Sequence, residues 1–227
     1  MSFKDLETTI GITFSDKNLL KQAFIHRSYL NEDKQAKTSN ERLEFLGDAV
    51  LSFLTSNYLY TTYIEYPEGI LTNIRSSLVK TKTLSKISER LELGDLLYLS
   101  KGEEESGGRK NQSLLADVFE ALLGAIFLDQ GVDVARSFLE KYLFPYTREL
   151  VEKKAYIDYK SHLQEIVQEK VKISPVYRVI RSEGPDHDKT FWIEVVSEGK
   201  VLGSGSGKSK QSAEQAAARN ALEKKPL

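Results

Sequence analysis

Glu41, Glu44 and Asp48 stand at i, i+3 and i+7 of one stretch, and Asp117 and Glu120 at i, i+3 of another. On a helix such spacing places the carboxylates on one face, with Glu44 and Asp48 about 5–6 Å apart at Cβ. Like charges so placed repel. Leu43, Phe45, Leu46, Ala49, Val50, Leu51, Phe53 and Leu54 surround the first set, and Leu114-Leu-Ala-Asp-Val-Phe-Glu-Ala-Leu-Leu-Gly124 contains the second. That apolar density suggests largely buried helices, in which unpaired carboxylates are costly. Packed face to face, the two sets offer four or five oxygen ligands, the donor set of a hard divalent cation such as Mg²⁺, with Mn²⁺ as a substitute. The blander reading is solvated acids, or acids paired with Arg42 or a lysine, the commoner fate of helix carboxylates. Two such clusters in the two most apolar helices favour the metal.

The elements that must hold these acids follow from periodicity. Up to Lys154 the apolar residues recur at helical spacing, giving an all-α unit with helices near 3–9, 16–26, 40–64, 68–79, 82–92, 112–130 and 133–152. Ser15, Asn40 and Thr81 are placed to cap helix starts, Gly94 and Gly131 to end helices, and Pro145 to break the last one. Polar segments 31–39 and 100–111 precede the two acidic helices and read as loops able to shape a groove.

After Lys154 the pattern changes. A helix near 158–170 is followed by Val176-Tyr-Arg-Val-Ile-Arg and Phe191-Trp-Ile-Glu-Val-Val as strands, a third strand near Val201, and an alanine-rich helix over 209–224. This α-β-β-β-α order describes a small α+β unit with both helices on one face of an antiparallel sheet. The expected organisation is a helical domain over residues 1–152, a linker over 153–157 and the second domain over 158–227.

Composition narrows the chemistry. The chain of 227 residues has no cysteine, which excludes disulfides and thiolate metal sites, and its three histidines, His26, His162 and His187, are scattered. Any metal is therefore held by carboxylates. The longest apolar run, Ala121 to Leu128, falls far short of the roughly 20 residues that span a bilayer, and the start lacks an apolar signal core, so a cytoplasmic protein without membrane attachment is expected. The net charge of −1 conceals a modest asymmetry: 12 basic against 10 acidic residues after position 155, and 20 against 23 before it.

Asn40-Glu-Arg-Leu-Glu-Phe-Leu-Gly-Asp-Ala-Val-Leu51 resembles the signature segment of the ribonuclease III family. His26-Arg-Ser before it, and Pro67-Glu-Gly, Gly107-Gly-Arg and Leu115-Ala-Asp-Val-Phe-Glu-Ala-Leu-Leu-Gly after it, occur in family order. By position, the resemblance makes Glu44, Asp48, Asp117 and Glu120 metal ligands, with Asp48 and Glu120 central to catalysis, and makes Glu41 and Glu68 acids lining a catalytic valley. It implies Mg²⁺-assisted hydrolysis of double-stranded RNA, water attacking phosphorus in line with the departing 3′ oxygen. It further implies 5′-phosphate and 3′-hydroxyl ends, short 3′ overhangs, a homodimer through the helical domain, and duties in ribosomal-precursor and messenger RNA processing. Two other readings explain less: a non-cleaving RNA scaffold has no reason to keep four mutually repelling acids, and a small-molecule phosphohydrolase leaves the second domain without a purpose.

The C-terminal unit resembles a double-stranded-RNA-binding domain in three segments: Asp158-Tyr-Lys-Ser-His-Leu-Gln-Glu-Ile-Val-Gln168, Gly184-Pro-Asp-His-Asp-Lys-Thr-Phe191 and Gly205-Ser-Gly-Lys-Ser-Lys-Gln-Ser-Ala-Glu-Gln-Ala-Ala217. The likeness assigns Ser161, Gln164, Glu165 and Gln168 to one minor groove, His187 to the next, and Lys208, Ser209 and Lys210 to phosphates at a helix start. Gln211 and Glu214 stand where many such domains carry lysine, which implies weaker phosphate attraction. The stretch Leu202 to Ser209 imitates a nucleotide-binding P-loop, but the position five before Gly207 is Leu202 rather than glycine, so no nucleotide cofactor is expected. His26 reads as a packing and hydrogen-bonding residue, and Tyr58, Tyr60, Tyr63 and Tyr66 as core or rim.

Overall fold

The computed structural model describes all residues except 34–35, 155, 186–187 and 225–227. Contacts divide the chain into two units, 1–156 and 157–227. The first holds α1 (Phe3–Ile10), α2 (Lys17–Ala23), α3 (Glu41–Thr62), α4 (Glu68–Leu78), α5 (Thr81–Arg90), α6 (Lys101–Glu105), α7 (Gln112–Gln130), α8 (Val132–Tyr142) and α9 (Pro145–Glu152). The second holds α10 (Tyr159–Val171), β1 (Val176–Glu183), β2 (Thr190–Ser197), β3 (Lys200–Gly207) and α11 (Lys210–Glu223).

In the first unit α7 is the central post. It begins where the Asn111 side chain accepts from the amides of Ser113 and Leu114 and stops at Gly131, whose φ of 84° lies in the left-handed region. Ten consecutive-to-near residues from Leu115 to Ile126 are buried, all but Asp117 and Glu120. Around α7 pack α3, α5, α2 and α8, with Phe14, Phe24, Leu51, Leu54, Ile74, Leu84, Phe138 and Leu139 closing the core. Each such side chain contributes roughly 1.5–3 kcal/mol by leaving water. Pro145 breaks the last predicted helix in two, taking the first position of α9, where its missing N–H costs no helical bond.

Several helix ends differ from those that the sequence pattern predicts. Asp16, not Ser15, caps α2 by accepting from Asn18 and Leu19, while the Ser15 amide donates to Asp129. Thr81 is the first residue of α5, preceded by Lys80 at the cap position, and Asn40 makes no side-chain capping bond. Gly94 ends no α-helix; it lies in a 3₁₀ turn, Leu93–Leu96. The 100–111 segment is ordered: Ser100 caps α6, and Arg109 donates through Nη1 to the carbonyls of Gly94, Asp95 and Leu97 at 3.0, 3.1 and 2.9 Å and through Nε to Glu104 at 2.7 Å.

The second unit is the expected α-β-β-β-α arrangement, an antiparallel sheet in the order β1-β2-β3. Its core is Leu163 and Val167 of α10, Ile193 and Val195 of β2, and Ala213, Ala217, Ala218 and Ala221 of α11. The alanines let α11 lie close on the sheet. β2 and β3 are joined by a two-residue turn, Glu198-Gly199, with φ of 48° and 76°, the backbone such hairpins require. Among the described residues no helix is long and apolar enough to cross a membrane.

Candidate functional site

The two acidic helices cross at a pair of glycines. A Cβ built on Gly47 of α3 would lie 1.8 Å from the main-chain oxygen of Glu120, and one on Gly124 of α7 would lie 2.3 Å from the oxygen of Leu43. Only hydrogen fits at either place, so the backbones touch. This contact sets the turn carrying Glu44 and Asp48 beside the turn carrying Asp117 and Glu120. Ser88 of α5 fixes the N-terminal part of α7 from the other side, donating to the Leu115 carbonyl at 2.6 Å.

Electrostatics show that the four acids share one field. Burial, then the charges of Asp48, Glu44 and Asp117, push Glu120 up to about 8. Glu44 is raised by burial and by Asp117, Glu41 and Asp48. Asp117 is raised by burial, and the charge of His26 works against that rise. Among the described residues, none of the ion pairs engages Glu44, Asp48, Asp117 or Glu120. Of the blander reading, pairing with Arg42 or a lysine does not apply to them, and solvation applies to Asp48, which is exposed, while Glu44, Asp117 and Glu120 are half-buried. Nor do three His, Cys, Asp or Glu side chains among the described residues form a preformed ligand cage. Three half-buried carboxylates beside the exposed Asp48, in no ion pair and reached only by the distant charge of His26, are the donor chemistry that suits a hard divalent cation.

The other predicted acids sit differently. Glu41 accepts from Ser39 Oγ at 2.8 Å and lies 3.8 Å from Arg27, so it is partly neutralised, although its charge reaches Glu44. Glu68 opens α4, accepts from Thr72 at 3.0 Å and lines a groove with Phe53, Tyr60, Ile64, Leu71 and Arg75 that includes none of the four acids. The expectation that α3 is largely buried fails on this side: Phe45 is 81% exposed, Phe53 and Tyr60 are exposed further along, and Ile64, just past the end of the helix, is 77% exposed. Tyr58 instead stacks on Phe144 at 4.0 Å, and Tyr63 packs on Tyr66.

His26 is closer to the site than its sequence context indicated. Its Nδ1 is 2.8 Å from Ser28 Oγ, which also accepts from the Ser100 amide. The His26 amide donates to the Tyr98 carbonyl and the Asn40 amide at the start of α3 donates to the Ile25 carbonyl, and from there the His26 charge reaches Asp117.

In the second unit Ser161, Gln164, Glu165 and Gln168 are all exposed on one face of α10, opposite buried Leu163 and Val167. Lys208, Ser209 and Lys210 are exposed at the start of α11, where Ser209 caps the helix through Ser212. Lys208 pairs with Asp188 at 2.6 Å, tying the β1–β2 turn to that helix start. His187 lies outside the described residues. Glu214 is not a bare surface acid: it binds Lys160 of α10 at 2.7 Å, and Lys160 also lies 4.9 Å over the Tyr177 ring.

Known proteins match both units. A family model described as ribonuclease-III-like covers residues 16–147, and the double-stranded RNA binding motif covers 159–225. A ribonuclease 3 from Enterococcus faecalis is 48% identical over 98% of this chain and 96% of its own length. One from Lactococcus lactis subsp. lactis is 46% identical over 96% and 95%. Among solved structures, a nuclease domain of ribonuclease III from Campylobacter jejuni, described for flexibility in a region involved in dimer formation, superposes with a TM-score of 0.59. It is 38% identical and covers 63% of this chain and 99% of its own. The chain belongs to the ribonuclease III family and is an endoribonuclease ending in a double-stranded-RNA-binding domain.

Proposed function

We propose that this chain cleaves double-stranded RNA in a Mg²⁺-dependent reaction, with Mn²⁺ able to substitute, leaving 5′-phosphate and 3′-hydroxyl ends with short 3′ overhangs. The observation that carries the proposal is the set of half-buried Glu44, Asp117 and Glu120 with exposed Asp48 at its edge, held against its own repulsion by the Gly47–Gly124 crossing and engaged by no ion pair among the described residues. A divalent cation held by these four would supply Lewis acidity for phosphodiester hydrolysis and offset the repulsion between carboxylates and a polyanion. Glu120, protonated up to about pH 8, must release its proton before it can act as a ligand. Asp48 and Glu120 face the reacting phosphate, while Glu41, braced by Arg27 and Ser39, borders the valley.

The substrate is positioned by the second domain, taken as residues 158–227 after a 153–157 linker. Its exposed Ser161, Gln164, Glu165 and Gln168 face a minor groove, with His187 at the next one, and Lys208, Ser209 and Lys210 face phosphates. The chain works as a homodimer: the exposed stripe Phe45, Phe53, Tyr60 and Ile64 is too apolar to stand in water, and the dimer-forming C. jejuni domain is its likeness. Glu68, on the groove beside this stripe, then borders the valley at the dimer seam. Ribosomal-precursor and messenger RNA processing in the cytoplasm is the expected duty. The test is to incubate a perfectly paired duplex and its separate strands with the protein in Mg²⁺ or chelator and to analyse the product ends. Metal-dependent cutting of the duplex alone, giving ends that a ligase joins without prior phosphorylation, is the result expected; cutting in chelator, or of single strands, contradicts the reading.

A further inference from the structure

A cavity of about 200 Å³ opens between α5 and α9, rimmed by Lys80, Lys82 and Lys86 on one side and Tyr146, Glu149 and Lys153 on the other. All four lysines are exposed. Lys153 is engaged by Glu149 at 2.7 Å. The hydrogen bond and charge of Lys153, and the charge of Lys86, hold the Glu149 carboxyl below its ordinary range. No ion pair among the described residues engages Lys80, Lys82 or Lys86. Three cations outside any ion pair thus border one pocket whose single acid, Glu149, is already held by Lys153, in a part of the chain that carries more acids than bases.

Folding stability gives no reason for this arrangement. The N-terminal end of a helix carries positive partial charge and favours acids. In α5 the cap position is Lys80, whose side chain makes no capping bond, Lys82 is the second helical residue, and the first turn has no acid. Lys82 and Lys86 stand at i, i+4, a like-charge pair that destabilises a helix. An oxyanion in the pocket would reverse each of these unfavourable terms, taking charge-assisted bonds from the ammonium groups and from the Thr81 and Lys82 amides at the uncapped start of α5, the Thr83 amide being taken by the Lys80 carbonyl.

We propose that this pocket is a phosphate-binding site of the helical unit, lined by none of the acidic quartet and taking adjacent phosphoryl groups, whether from an RNA backbone or a free polyphosphate. The test follows the Thr81, Lys82 and Thr83 amide resonances of the full chain in chelator, so that RNA stays uncut, during titration with inorganic pyrophosphate and separately with a perfectly paired RNA duplex. Saturable pyrophosphate shifts, weakened at least tenfold in Lys82→Ala/Lys86→Ala and unchanged in the exposed control Lys4→Ala/Lys101→Ala, are the expected result. If the duplex shifts the same amides, the source is the RNA backbone; if only pyrophosphate does, it is a small anion. Absence of saturable shifts with both, or equal shifts in the Lys82→Ala/Lys86→Ala variant, overturns the proposal.

Discussion

The α-carbon of Gly47 packs on the peptide of Glu120 so closely that an added Cβ would sit 1.8 Å from the Glu120 oxygen. The position of the most strongly perturbed acid is thereby tied to the absence of a side chain on the facing helix. Gly47→Ala forces main chain, not a flexible side chain, to yield, at a cost of about 1–3 kcal/mol or more. The expected outcome is a fall in Tm of several degrees together with loss of cleavage. Gly102→Ala, where a Cβ meets nothing within 4 Å, leaves both unchanged.

The raised acids give metal-free stability a definite pH dependence. An unfolded chain releases the Glu120 proton near 4.5, the folded chain only at about 8. Between those values the folded state binds more protons, so this contribution is fully present below about pH 4.5 and is lost as pH rises to 8. Glu44 and Asp117, also raised, act in the same direction. In chelator, Tm should fall between pH 5.5 and 8, and Glu120→Gln should flatten that fall. Mg²⁺ or Mn²⁺ should restore Tm most at pH 8, where the ligands are ionised. A chelated wild type whose Tm does not change over this range contradicts the shared field.

Phe45, 81% exposed on one chain, contributes little to the fold of that chain. Phe45→Glu should therefore leave helical content intact while shifting sedimentation from dimer to monomer at micromolar concentration. A variant that remains dimeric places the subunit contact elsewhere.

Glu214 holds Lys160 at 2.7 Å, with side chains 23% and 41% exposed. Glu214→Gln releases that ammonium to phosphate, and the expected result is tighter duplex binding with a salt dependence steeper by about one phosphate contact. The double variant Glu214→Gln/Lys160→Gln should return binding to the wild-type level or below. Unchanged affinity in Glu214→Gln means that Lys160 does not reach the RNA.

Much of this organisation is legible in the sequence because it is written in periodicity and punctuation. Residues 112–130 read as one helix because their apolar residues recur at helical spacing up to Gly131, and Pro145 divides the last helices as its geometry requires, whereas the cap at Asn111 is seen only in the structure. What escaped reading depends on distant partners. The identity of Asp16 as a cap is decided partly by Asp129, which engages the Ser15 amide from more than 100 residues away. Arg109 turns a polar stretch into ordered structure by binding three carbonyls around Gly94. Spacing alone leaves Phe45 open between a subunit contact and the core of its own chain, and the helix turns it outward. Glu214 looks like a missing cation until Lys160 is found against it. The proximity of His26 to Asp117 has no local signal at all.

Glu44, Asp48, Asp117 and Glu120 are proposed to act as one metal-dependent site for cutting duplex RNA. The most direct measurement compares wild type and Glu120→Gln on one perfectly paired duplex in Mg²⁺, recording binding and cleavage in the same samples. The variant should bind as tightly as wild type and cut about a hundredfold more slowly or worse, on the order expected when a group acting at the reaction centre is lost. A variant that cuts at the wild-type rate, or a wild type that binds the duplex and never cuts it, would contradict the claim.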